Sequence, residues 1–193
     1  MTATTTAPDP AGGTIDTAAA VLTLADIDLS ACATLLAGYH LELVALPVEA
    51  DIPGSYWGAP EAGVIGSRVF VRPDTPVHSL LHEAGHLIVL PPERRTMVDT
   101  DASDSQIEED ATCLLQILLA DALPGVGRDR LMADMDAWGY SFRLGSTRAW
   151  FDHDAEDARA FLAARGLAAI PTLPTGPGGA KVWPPSPTPD PIR

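Results

Sequence analysis

The chain has 193 residues, 46% of them apolar and 20% charged, so it can bury a core and is not a disordered polar polymer. Lys and Arg number 12 against 26 Asp and Glu, a formal net charge of −14, and no basic run occurs. That balance repels polyanions, which excludes sequence-independent nucleic-acid binding and disfavours anionic membrane surfaces.

In chain order, residues 1–13 are small and polar, with Pro and Gly, and are expected as a disordered leader. Residues 14–170 form the expected single folded domain. Residues 171–193 carry eight prolines and are expected as a Pro-rich disordered tail. No secretory signal and no apolar run of about 18 residues is visible. Two cysteines, Cys32 and Cys113, are too few for a secreted disulfide framework. The expected location is therefore the cytoplasm.

Within the domain, Ala-rich Ile15–Leu24 predicts a helix, and Asp28-Leu29-Ser30 caps another over 31–39. Leu41–Leu46 predicts a strand. Gly63–Arg72 predicts one strand or a hairpin, stopped by Pro73 and Pro76. Residues 77–90 predict a helix that Pro91-Pro92 end, because proline cannot continue the hydrogen-bond ladder. A polar loop covers 93–104. Leu-rich 105–123 predicts the longest helix, and 128–138 and 154–166 two more. Strands cluster instead of alternating with helices. The pattern predicts an α+β fold, a small sheet packed on helices.

The chemistry centres on His82-Glu83-Ala84-Gly85-His86. With five His and eight Glu in the chain, roughly 0.005 such H-E-x-x-H matches arise by chance. Positions i and i+4 lie one above the other on a helix, so both imidazoles can reach one metal ion. Glu83 then stands beside the metal's open position, where it can take a proton from water and pass it to a leaving amine. Gly85 in mid-helix costs about 1 kcal/mol against Ala, which a close approach by another backbone would explain.

A third ligand is expected on the next helix, among Glu108, Glu109 and Asp110. Ala111, Leu114, Leu115, Leu118, Leu119 and Ala122 define one apolar face. Glu108 lies about 50° from its centre, and Glu109 and Asp110 more than about 100° away. Glu108 is therefore the expected ligand, with Glu109 the fallback. Ser105-Gln106-Ile107-Glu108 also reads as a capping box, in which Glu108 would bond only backbone amides. His78 shares the face of His82 but is expected to be solvated. Asp99, Asp101 and Asp104 lack the glycine and terminal Glu of a calcium loop.

H-E-x-x-H followed after 22 residues by Glu108 on a second helix resembles the gluzincin zinc metallopeptidases. The pattern is closest to the small intracellular peptidases of the ImmA/IrrE type. There a short strand pair precedes the zinc helix, and the third ligand opens an E-x-x-A pattern on a Leu-rich helix. Gly63–Arg72 and Glu108-Glu109-Asp110-Ala111 match those features, and the likeness spans about residues 60–120. It implies a minimal zincin-like fold and zinc held by His82, His86 and Glu108. Glu83 would be the general base, and a peptide or protein the substrate. The alternative is a metal-binding interaction protein of the same fold with little or no activity. Val69–Arg72 is the expected free edge for an extended substrate. Tyr140, His153 and Arg143 are candidates to stabilise an oxyanion, and Tyr56 and Trp57 to line a cleft.

Overall fold

The computed structural model describes residues 20–95, 97–100 and 105–167. The expected leader, the tail, most of the expected first helix, and Asp101 and Asp104 lie outside them. The described part of that helix is not helical before Leu24: residues 20–22 are irregular, Thr23 bridges Pro76, and Leu24 opens a short 3-10 turn Leu24–Asp26, tied by Leu24 N–H to the Thr75 carbonyl at 2.9 Å.

The fold is α+β, with seven α-helices and one three-stranded sheet among the described residues. Helix α1 (Leu29–Ala37) starts at the predicted cap, the Asp28 carboxylate accepting from Ser30 N–H. Strand β1 (Glu42–Ala45) follows, then the hairpin β2 (Gly63–Ile65) and β3 (Arg68–Val71). Strand β3 pairs parallel with β1 and antiparallel with β2, so it is the central strand. This corrects the expectation that Val69–Arg72 offers a free edge, because both of its sides carry ladder bonds. The outer side of β2 is bridged in turn by Asp99, and Thr100 N–H reaches the Val64 carbonyl at 3.2 Å.

Helix α2 (Val77–Val89) carries the motif, and Leu90 with the two prolines ends it as expected. Leu80, Leu81, Ala84, Leu87 and Ile88 are all buried, so the helix runs through the core. Its start is pinned to the sheet side, where Ala62 N–H donates to Ser79 Oγ at 2.9 Å. A short helix α3 (Pro92–Arg95) occupies part of the expected loop. Helix α4 (Gln106–Ala120) begins at Ser105, whose Oγ accepts from Glu108 N–H. It packs against α2, α5 (Gly127–Trp138) and α7 (Glu156–Ala164). Helix α6 (Thr147–His153) was not expected. Seven residues are too few for a 3.6-residue period to stand out.

No helix among the described residues is long and apolar enough to cross a membrane.

Candidate metal centre

Two helices build the site. On α2 the spacing of four puts His82 and His86 on one face, their Nε2 atoms 3.0 Å apart. On α4 the residues Glu109, Thr112, Cys113 and Gln116 follow a spacing of i, i+3, i+4 and i+7, which draws one polar stripe along a Leu-rich helix. That stripe faces the histidines. Glu109 Oε1 lies 3.3 Å from His82 Nε2, and Glu109 Oε2 lies 3.5 Å from His86 Nε2.

Glycine makes the approach possible. A Cβ on Gly85 would stand 3.0 Å from Thr112 Cγ2 and 3.5 Å from the Thr112 carbonyl oxygen. The close backbone expected from a mid-helix glycine is therefore α4.

The neighbours of the rings set their tautomers. His82 Nδ1 is 3.2 Å from Gln116 Oε1, an atom that only accepts, so Nδ1 carries the proton. The lone pair of Nε2 then points at Glu109 and His86. Gln116 is fully buried, and its Nε2 donates to Met135 Sδ at 2.9 Å. His86 Nδ1 lies 3.4 Å from Thr112 Oγ1. Burial pushes both ring pKa values down, helped at His82 by its neighbour His86, so both imidazoles are neutral and fit to coordinate.

The expected third ligand Glu108 and its fallback Glu109 take different neighbours. Glu108 is buried, as its place on the helix wheel predicts, but its carboxylate meets Arg94 Nη1 of α3 at 3.4 Å. Glu109 is the carboxylate at the histidines. A helical wheel gives α4 one apolar face as its inward side. Thr112, Gln116 and Ile117 are fully buried too, because α4 is wrapped by three helices and has more than one inward side.

Glu83 is half-buried on α2, and its charge acts on the Tyr140 hydroxyl together with that of Glu109. Of the three candidate electrophiles only Tyr140 lies here. Its ring stands edge-on to His82 at 5.9 Å between centroids, and its hydroxyl bonds the Gln116 side chain. Burial, first of all, holds that hydroxyl protonated well above its ordinary range. Arg143 pairs with Asp154, and His153 is exposed at the end of α6. Tyr56 and Trp57 meet edge to face, 63% and 78% exposed.

His78 is not solvated. It is 1% exposed, packed against Trp138 and Tyr140, and neither ring nitrogen has a hydrogen-bond partner among the described residues. Desolvation pushes its pKa down from 6.5 to about 4. The unfolded chain therefore binds a proton below about 6.5 that the folded state refuses until about 4. Stability is full above pH 6.5 and falls on acidification through that window, by up to about 1.4 kcal/mol per pH unit from this histidine alone. His82 and His86 act with the same sign. Urea unfolding of metal-free protein between pH 7 and pH 4 measures the slope.

A tetrahedral zinc with bonds of about 2.0–2.1 Å has ligand–ligand edges of about 3.3 Å. The two Nε2 atoms are 3.0 Å apart, and each has its own Glu109 oxygen, Oε1 at 3.3 Å from His82 and Oε2 at 3.5 Å from His86; these separations lie near that value, so the donor types and spacing fit such an ion. Comparison with protein-family models, with curated proteins and with solved structures returns no match.

Proposed function

We propose that this chain is a zinc metallopeptidase of minimal zincin-like build, in which His82, His86 and Glu109 hold the metal and Glu83 is the general base. The observation that carries the reading is the approach of the two Nε2 atoms to 3.0 Å of each other with one Glu109 oxygen near each, at 3.3 and 3.5 Å, beside a glutamate on the same helix. Zinc supplies Lewis acidity there, acidifying water and polarising a carbonyl. Glu83 takes the proton from the attacking water and delivers it to the leaving amine. The Tyr140 hydroxyl, kept protonated by burial, donates a hydrogen bond to the developing oxyanion. Gln116 fixes the His82 tautomer. The substrate class is a peptide or protein chain.

Gln116→Leu removes the acceptor at His82 Nδ1 and is expected to weaken zinc binding about 10–100-fold, as loss of an outer-shell partner does. Competition against a chromophoric chelator reads that change. The function itself is tested on an unstructured protein substrate with zinc-loaded chain. Hydrolysis that stops on chelation and returns with zinc supports the reading. Stable metal binding without hydrolysis of any peptide library supports the metal-binding interaction protein instead.

A further inference from the structure

The site holds a metal-binding side chain that the proposed mechanism does not use. Among the described residues, His82, Glu109 and Cys113 bring one ligand atom each within 4.8 Å of one another. Cys113 sits one turn beyond Glu109 on α4, with its Sγ 4.0 Å from Glu109 Oε1. It lies on the polar stripe, whose other members all touch the two histidines. Thiolate sulfur is a favoured zinc ligand. A Zn–S bond of about 2.3 Å places sulfur about 3.5 Å from a nitrogen or oxygen ligand, so the sulfur closes by about half an ångström on Glu109 and by no more than about 1.3 Å on His82.

We propose that Cys113 is a further protein ligand, completing a four-coordinate His82–His86–Glu109–Cys113 centre that keeps the resting protein closed. This rests on the metal centre proposed above and adds its regulation. A catalytic zinc keeps one position open for water, whereas four protein ligands make a structural site. Cys113 must therefore leave before Glu83 has a water to deprotonate. On binding, the thiol gives its proton to solvent, as a coordinating thiol does. A role as a free nucleophile is disfavoured. Burial, and then the charges of Glu109 and Asp110, hold the thiol protonated when no cation is near.

Cobalt distinguishes the outcomes. Metal-free full-length chain is loaded with one equivalent of Co²⁺ and its electronic spectrum recorded. A thiolate-to-cobalt charge-transfer band in the near ultraviolet is expected for wild type and for Cys32→Ser. Cys113→Ser is expected to bind the same one cobalt and lose the band, and its zinc form to hydrolyse peptide severalfold faster than wild type. Zinc X-ray absorption of the wild type needs no variant, and a sulfur neighbour at about 2.3 Å supports the proposal. A single bound cobalt with no thiolate band overturns it and leaves the His₂Glu centre standing. Failure of wild type to bind cobalt at all overturns that centre, and this proposal with it.

Discussion

Glu83→Gln is expected to lower peptide hydrolysis about 10²–10⁴-fold while the chain keeps its metal, because a general base contributes that much to such a step. The amide has the size of the carboxylate but cannot accept the proton of the attacking water. Glu83 is not one of the proposed ligands, so metal content should hold. Its half-buried place on α2, one residue after His82, argues against a large loss of stability. Hydrolysis and metal content measured on the same preparation check both halves. Wild-type activity in this variant would remove Glu83 from the mechanism.

Glu109→Ala and Glu108→Ala are expected to part company just as sharply. Glu109 faces both Nε2 atoms, so its loss takes a direct ligand from the centre. Metal affinity should fall by more than the roughly 10–100-fold typical of an outer-shell residue. Glu108 meets Arg94, whose side chain is 41% exposed, and such an ion pair is worth about 1 kcal/mol or less. Glu108→Ala should therefore bind zinc as wild type does, with a small drop in unfolding midpoint. Isothermal titration of both variants with zinc reads the contrast. The reverse pattern would restore the carboxylate chosen by the helix wheel.

The elements that place the site were largely legible in the sequence. The H-E-x-x-H spacing, the prolines after Leu90 and the Ser105 cap each have a local physical cause, and α2 and α4 lie where those causes put them. Direction was less legible. A helical wheel finds one apolar face, but α4 is buried on several, so Glu108 and Glu109 both point inward, toward different neighbours. A signal for the carboxylate that faces the histidines was present. Polar Glu109, Thr112, Cys113 and Gln116 recur at helical spacing inside a run of leucines, and a polar stripe in such a helix must face a polar partner. Sheet order was not legible, because the parallel pairing of β1 with β3 joins segments separated by the long 46–62 connection. Nor was the wall over the histidines. Tyr140 reaches His82 only through the packing of the segment after α5.

The central claim is that α2 and α4 together hold a divalent metal. Elemental analysis of the purified full-length chain, before and after zinc loading and dialysis, tests it most directly. The account predicts close to one zinc per chain, reduced in His82→Ala and in Glu109→Ala. A wild-type chain that retains no divalent metal after loading would contradict it, and would leave His82, His86 and Glu109 as a half-buried polar cluster between α2 and α4.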